Sequence, residues 1–93
     1  MKIGPYTIDN PLALAPMVGV TDKFFRRLCR ELGAGYTVSE MLAADPALRD
    51  TTVARLRGDF SGEASPVAVQ LAGSEPRWMA DAARYNVARG AEI

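Results

Sequence analysis

PLALAPMVGVTDKFFRRLCRELGAGYTVSEM, residues 11–41, is the stretch that decides the fold. Its first five residues are a continuous apolar run, which is typical of a strand covered on both faces. Asp22 then provides a carboxylate at the start of a helix, and Gly33 stands where a left-handed residue usually ends one. The β-forming residues 35–41 predict a second strand. A strand, a helix and a strand in this order indicate a parallel β-α-β unit.

The helix of this unit combines an apolar stripe with a basic face. The stripe has the spacing i, i+3, i+4 and i+7 and consists of Phe25, Leu28, Cys29 and Leu32. The opposite face contains Arg26, Arg27 and Arg30, which we expect to be solvated. Cys29 lies on the stripe, so we expect it to be a packed core thiol rather than a reactive one.

The same alternation of apolar and helical stretches continues outward from this unit. Residues 2–8 predict a short strand pair closed by a turn at Gly4-Pro5. Asp45-Pro46 is a helix-start signal, but the helical pattern that follows, from Ala47 to Arg57, is weak and is interrupted at Thr51-Thr52-Val53. Residues 58–65 predict a loop.

Two further elements complete the pattern. Residues 66–73 predict a third apolar strand, and Ser74-Glu75-Pro76 opens another helix that Gly90 ends. The predicted buried face of this helix consists of Trp78, Met79, Ala82, Ala83 and Val87. Residues 91–93 resemble the start of a fourth strand.

The order β-α-β-α-β-α-(β) predicts an α/β fold with parallel strands and right-handed crossovers. Two architectures have this order, an open doubly wound sheet and a (β/α)8 barrel. A complete barrel needs about 250 residues, whereas this chain has 93. We therefore expect residues 1–93 to be the N-terminal part of one larger domain, namely the strand pair 2–8 and about three β/α units.

The composition is that of a globular protein, with 48% hydrophobic and 24% charged residues. The 11 Lys and Arg balance the 11 Asp and Glu, so no overall charge favours nucleic acid or a membrane surface. A single cysteine favours a reducing, cytoplasmic location. No apolar run approaches the roughly 20 residues of a membrane span. Histidine and metal-spaced cysteines are absent, so we expect no metal site.

A candidate ligand site follows from the strand order, because parallel α/β folds bind ligands beyond the carboxyl ends of their strands. These ends are residues 15–19, 39–41 and 70–73, which we call the carboxyl edge. Its Pro, Met and Gly residues suit a flat, mostly apolar heterocycle. Gln70 could both donate to and accept from ring atoms. Glu40 is its one carboxylate, and it either belongs to the site or binds a backbone N–H or an arginine.

The chain resembles the bacterial tRNA-dihydrouridine synthases, and most closely their B-type subgroup. The matching stretches are Ile3-Gly4, Asn10-Pro11-Leu12, Ala15-Pro16-Met17-Val18-Gly19-Val20-Thr21-Asp22, Phe25-Arg26, Gly33-Ala34-Gly35, Thr37-Val38-Ser39-Glu40-Met41, Val69-Gln70-Leu71-Ala72-Gly73-Ser74 and Met79-Ala80-Asp81-Ala82-Ala83. Other FMN barrels have an opening similar to Ala15-Pro16-Met17, so the ordered set carries the resemblance rather than that motif.

The resemblance implies an FMN-binding (β/α)8 barrel followed by a helical tRNA-binding domain. Such an enzyme uses NADPH to reduce the flavin, which then reduces the uracil C5–C6 double bond in tRNA to 5,6-dihydrouridine. Pro16, Met17 and Val18 match the flavin-contacting first loop of the family, and Gln70 matches its third-strand amide, which binds the isoalloxazine ring. The resemblance thus assigns FMN and NADPH as cofactors and tRNA as the partner of the complete protein.

The catalytic cysteine of the family, in an Asn-x-Gly-Cys-Pro-like motif, follows a strand that would begin near Ile93. We therefore expect no catalytic residue among residues 1–93 and no activity of these residues alone. The family's flavin-binding lysine, its phosphate-binding loops and its helical domain are also expected outside them. Two alternatives remain open. One is an FMN barrel that acts on a free pyrimidine or an enone, and the other is a non-catalytic α/β module that completes its sheet with a partner.

Overall fold

Strands and helices alternate along the chain, and the computed structural model describes all residues, 1–93. The strands are β1 (Lys2–Ile3), β2 (Tyr6–Thr7), β3 (Ala13–Leu14), β4 (Tyr36–Thr37), β5 (Leu42–Ala43) and β6 (Leu71–Ala72). The helices are α1 (Lys23–Glu31), α2 (Thr52–Arg57) and α3 (Pro76–Ala88), with a 3-10 turn at Pro46–Leu48. The predicted interruption of the second helical stretch is confirmed at Thr51, which caps α2 as a separate helix by accepting from the Ala54 N–H, but it is wrong for Thr52 and Val53, which are already helical.

An antiparallel pair opens the fold, as the sequence predicted. β1 pairs with β2 through Lys2 opposite Thr7 and Ile3 opposite Tyr6. Gly4 forms the turn with a φ of 54°, a conformation that glycine adopts without steric cost.

The remaining strands are parallel and follow one another in chain order. β3 pairs with β4, and β5 pairs with β6. An isolated parallel bridge between Val38 and Ala68 connects these two pairs. Beyond it, the Val69 N–H donates to the Ile93 carbonyl (2.9 Å), and the Ile93 N–H donates to the Val67 carbonyl (3.2 Å). The fourth predicted strand therefore lies beside the third.

This order can be compared with the two predicted architectures. In doubly wound sheets the chain reverses direction, so that a later strand pairs with the first one. Here the four predicted parallel strands are neighbours in chain order. β3 lies beside β4, Val38 after β4 lies beside Ala68, β5 lies beside β6, and Val69 lies beside residue 93. The strands around a (β/α)8 barrel are also neighbours in chain order. The parallel α/β class is confirmed, and residues 1–93 form part of a sheet and not a closed barrel.

The prediction that the first apolar run is covered on both faces is wrong for these residues. Leu12 and Ala13 are exposed, and Leu14 is half-buried. The physical reason is that the faces of a strand are covered by packed helices, and α1 packs against β4 rather than β3.

Helix α1 begins and ends as its sequence predicted. The Asp22 carboxylate caps its first turn by accepting from the Phe25 N–H at 2.8 Å. After the last helical residue, Gly33 adopts a φ of 113°. Such caps satisfy backbone groups that a helix leaves unpaired at its ends.

The prediction of a solvated basic face on α1 is wrong for Arg26 and Arg30. Arg26 is only 1% exposed. Its guanidinium pairs with the Glu63 carboxylate and donates to the carbonyls of Thr21 (2.7 Å) and Asp59 (3.0 Å). Arg30 donates to the Gly35 and Ser65 carbonyls. The reason is that the loop of residues 58–65 lies along this face, and only Arg27 keeps a largely exposed side chain, at 77%.

The apolar stripe of α1 is correspondingly less buried than predicted. Phe25 and Cys29 are half-buried, whereas Leu28 and Leu32 are exposed, Leu32 by 79%. The predicted packed thiol at Cys29 is therefore only partly enclosed. Residues 1–93 therefore cover the apolar side of this helix only in part.

The face predicted for α3 is wrong at three of its five positions. Ala82 is buried, and Met79 contacts the position of Gly73. Trp78, Ala83 and Val87 are exposed, and the polar Asn86 is buried instead. The Asn86 amide is only partly satisfied there: its side-chain N–H donates to the Ala82 carbonyl at 2.9 Å, whereas its Oδ1 has no hydrogen-bond partner in the chain.

The largest buried apolar cluster lies under the third and fourth strands. It consists of Phe60, Val67 and Ala91, with Val69 packed against it. The chain exposes 5866 Å², compared with about 5,200 Å² for a typical folded protein of its mass. The core is therefore small. None of the helices is long and apolar enough to cross a membrane.

A second ion pair joins α1 to the loop of residues 58–65 and leads to a titration prediction. The Lys23 ammonium contacts the Asp59 carboxylate at 2.6 Å. Together with hydrogen bonds from Ser61, it lowers the pKa of Asp59 from 3.8 to about 2. A lowered folded-state pKa stabilises the fold above the unfolded value, and this contribution is lost as the pH falls from about 4 to about 2.

In the Lys23→Ala variant we expect the pKa of Asp59 to rise part of the way back towards 3.8, because the Lys23 hydrogen bond is its largest cause and the Ser61 contacts remain. An NMR titration of the Asp59 carboxyl carbon measures this. An unchanged titration curve in the variant would show that Ser61 alone accounts for the shift.

Candidate functional site

The loop after β3 forms the first part of the carboxyl edge, and buried Thr21 fixes it. Thr21 is 0% exposed. Its hydroxyl accepts from the Met17 N–H (2.9 Å) and donates to the Ala15 carbonyl (3.2 Å). Its own N–H donates back to the Met17 carbonyl at 2.9 Å. These bonds close the loop into a turn that exposes Met17 and Val18, the latter by 60%, and leaves Pro16 half-buried.

Glu40 joins the second strand to this loop. The side chain is 7% exposed, and its Oε1 accepts from the Gly19 N–H. Of the interpretations left open by the sequence, binding to a backbone N–H is the one that the structure shows. Gly19 has a φ of 78°, which turns its N–H towards the carboxylate at a conformation that other residues rarely adopt.

Ser39 joins the second strand to the third. It is 1% exposed, and its hydroxyl accepts from the Gln70 N–H at 3.1 Å and donates to the Glu40 carbonyl at 3.0 Å. The Gln70 carbonyl accepts from the Leu42 N–H at 2.9 Å. Both main-chain groups of Gln70 are therefore held by the second strand.

The Gln70 side chain is half-buried and makes no hydrogen bond to another residue of the chain. An amide carries two donors and an acceptor, and buried polar groups normally have partners. With its backbone held and its side chain free, Gln70 is suited to bind a ligand at this edge.

Sequence reasoning missed Thr21 and Ser39 as residues that shape the site. Both are small hydroxyl residues at the ends of otherwise apolar segments. Such side chains commonly bond to nearby backbone groups, and this is the signal that could have identified them.

A sizeable cavity lies away from the carboxyl edge. It is a cleft of about 550 Å³ between α1 and the loop, lined among others by Lys23, Arg26, Arg27, Gly62 and Glu63. Three of its four cations are paired with carboxylates, Lys23 with Asp59, Arg26 with Glu63 and Arg27 with Glu31. The fourth, Arg30, donates to backbone carbonyls instead, so the positive charge of the cleft is only partly neutralised. No group of three or more His, Cys, Asp or Glu side chains is arranged to hold a metal ion.

Comparison with known proteins decides the family. A sequence model described as dihydrouridine synthase (Dus) matches residues 13–93. The chain belongs to the dihydrouridine synthase family. This confirms the resemblance found in the ordered motifs of the sequence.

Several curated members of the family are similar to the chain over its whole length. It is 55% identical to tRNA-dihydrouridine synthase B of Xanthomonas campestris pv. campestris, 54% to that of Pseudomonas syringae pv. tomato and 50% to that of Escherichia coli. Each alignment covers 100% of this chain and 28%, 28% and 29% of the relative, respectively. The chain therefore spans less than a third of the length of these relatives. No solved structure matches it.

Proposed function

We propose that this chain forms the first β/α units of an FMN-binding (β/α)8 barrel in a tRNA-dihydrouridine synthase. The family match over residues 13–93 is the observation that supports this most strongly. The order of the parallel strands is the order that such a barrel requires. The complete protein would use NADPH and FMN to convert uridine in tRNA to 5,6-dihydrouridine in the cytoplasm, and bound FMN would supply the hydride for the C5–C6 bond.

The residues of the carboxyl edge fit a flavin ring. Met17 and Val18 expose apolar surface on a loop that is held rigidly from both sides, and a flat aromatic ring system could cover that surface. Gln70 has a free amide on a fixed backbone, which suits the alternating carbonyl and N–H groups of the ring edge. We propose that Pro16, Met17 and Val18 contact the ring and that Gln70 binds its polar edge.

We assign no catalytic role to residues 1–93. The only cysteine, Cys29, lies half-buried on α1 and not at the carboxyl edge. Glu40 lies at the edge, but its carboxylate binds the Gly19 N–H. The proton donor of the reaction is therefore proposed to be a cysteine in the part of the barrel that follows, as in the family motif.

The direct test uses the protein expressed from its natural gene with FMN, NADPH and tRNA that lacks dihydrouridine. We expect mass spectrometry of the digested tRNA to show dihydrouridine, with two more hydrogens than uridine. NADPH oxidation with free uracil or an enone, but none with tRNA, would favour the alternative FMN barrel oxidoreductase. Absence of flavin binding would favour the non-catalytic module.

Replacing Gln70 with alanine tests its proposed role. We expect FMN to bind more weakly by about 1–3 kcal/mol, the cost of leaving a polar group of the ring without a partner, which is roughly 5-fold to 150-fold in Kd. Quenching of flavin fluorescence measures the Kd. The control is Thr7→Ala, an exposed change in β2. Equal FMN affinity of Gln70→Ala and the control would assign Gln70 a structural role only.

A further inference from the structure

Ser39 and Glu40 are consecutive residues that contact the strands on either side of their own. Glu40 binds the loop after the first strand through the Gly19 N–H. Ser39 binds the third strand through the Gln70 N–H. These two adjacent residues therefore connect the proposed flavin contacts of the loop, Pro16 to Val18, with the proposed flavin contact of the third strand, Gln70.

The Glu40 carboxylate is unusual in its surroundings. It is nearly buried and takes part in none of the ion pairs of the chain. Burying a carboxylate without a cation is costly, so the bond from Gly19 is its main compensation within these residues. A hydrogen bond to an ionised acceptor is also stronger than a neutral one, which makes Glu40 an effective anchor for the loop.

The bond between Glu40 and the Gly19 N–H helps to determine which residue projects from the loop. The Met17 N–H is held by the Thr21 hydroxyl, and the Gly19 N–H is held by Glu40. Val18 lies between these two fixed amides and is 60% exposed. The loop is thus fixed on both sides of the residue that projects from it.

We propose that Glu40 is a positioning residue for the flavin site, which holds Met17 and Val18 against the ring by fixing the Gly19 N–H. Ser39 keeps this loop in register with Gln70. The inference rests on the proposed FMN function. Glu40 itself need not touch the ring, because its effect passes through the loop.

The test compares Glu40→Ala and Glu40→Gln with the unaltered protein expressed from its natural gene. Amide hydrogen exchange over residues 16–20, measured without FMN, reports the loop. The Kd for FMN reports the site, and thermal unfolding reports the whole fold. Glu31→Ala is the control, since it removes a carboxylate that is 64% exposed on α1.

We expect Glu40→Ala to speed exchange at residues 16–20 and to weaken FMN binding roughly 10-fold to 100-fold, with little change at other amides. Glu40→Gln keeps an uncharged acceptor in place, so it should restore part of both properties. The control should match the unaltered protein.

Each contrary result has a distinct meaning. If the unaltered protein binds FMN and both Glu40 variants bind it equally well with unchanged exchange, the positioning role is wrong and the proposed function stands. If the unaltered protein binds no FMN, the proposed function fails and the inference fails with it. Should Glu40→Ala not fold, an unchanged loop and Kd in Glu40→Gln would still contradict the inference.

Discussion

Replacing Arg26 with alanine is expected to lower the free energy of unfolding by about 3–5 kcal/mol, the usual cost of breaking a buried ion pair. Arg26 is 1% exposed, and the side chain of its partner Glu63 is only 9% exposed. The substitution leaves the Glu63 carboxylate buried without a cation. It also removes the donors to the Thr21 and Asp59 carbonyls, and leaves Lys23 and Arg30 to hold the loop of residues 58–65 to α1.

Urea unfolding of the variant measures this loss, and the chain offers a matched control one residue away. Arg27 also forms an ion pair, with Glu31, but its side chain is 77% exposed. Arg27→Ala should change stability by less than about 1 kcal/mol. Arg26→Lys retains the charge but not the forked geometry, so it should fall between the two. Equal stabilities of the Arg26 and Arg27 variants would contradict the buried network.

Gly35→Ala is expected to have the second large effect, because the position has no room for a side chain. A Cβ atom there would lie 1.8 Å from the Asn10 carbonyl oxygen and 2.6 Å from the Ile8 Cγ2. Gly35 cannot move away easily, since its N–H donates to the Leu12 carbonyl at 2.7 Å. To relieve the clash, residues 8–10 must move away from Gly35, and this movement disturbs the adjacent pairing of β3 with β4.

We expect a loss of at least the roughly 1–3 kcal/mol typical of overpacking, together with faster amide exchange in β4. Gly62→Ala is the control, because a Cβ at that position meets nothing within 4 Å and the cost arises only from its φ of 76°. That control should lose about 1–2 kcal/mol. If Gly35→Ala proved as stable as Gly62→Ala, the close approach of residues 10 and 35 would be wrong.

The sequence predicted what depends on neighbouring residues. The cap at Asp22, the end of α1 near Gly33 and the break before α2 are decided within one or two turns of chain, and all three are confirmed. The parallel strand order also followed, because a strand, a helix and a strand allow few connections.

Burial could not be predicted in the same way. The charged side of α1 is buried because residues 58–65, more than 30 positions away, supply a carboxylate and carbonyls to Arg26 and Arg30. No periodicity in α1 contains that information. The apolar pattern of α3 likewise did not reveal that the polar Asn86 is buried.

The candidate site was predictable in outline only. Strand direction indicated which residues lie at the carboxyl edge, and the family resemblance singled out Pro16 to Val18 and Gln70. Two hydrogen bonds hold these residues in place. In one the Gly19 N–H donates to Glu40, and in the other the Gln70 N–H donates to Ser39. They connect residues that are 21 and 31 positions apart, respectively. Hydrogen bonds of that kind are evident only in the folded chain.

The most direct test of the central claim is methyl NMR of the protein from its natural gene, labelled at Met, Val and Ala and titrated with FMN. We predict that the largest shifts occur at the methyl groups of Met17 and Val18 on the carboxyl edge. Ala64 lines the cleft beside α1 and should remain unchanged. Shifts at Ala64 without shifts at Met17 and Val18 would place the flavin in that cleft and contradict the account.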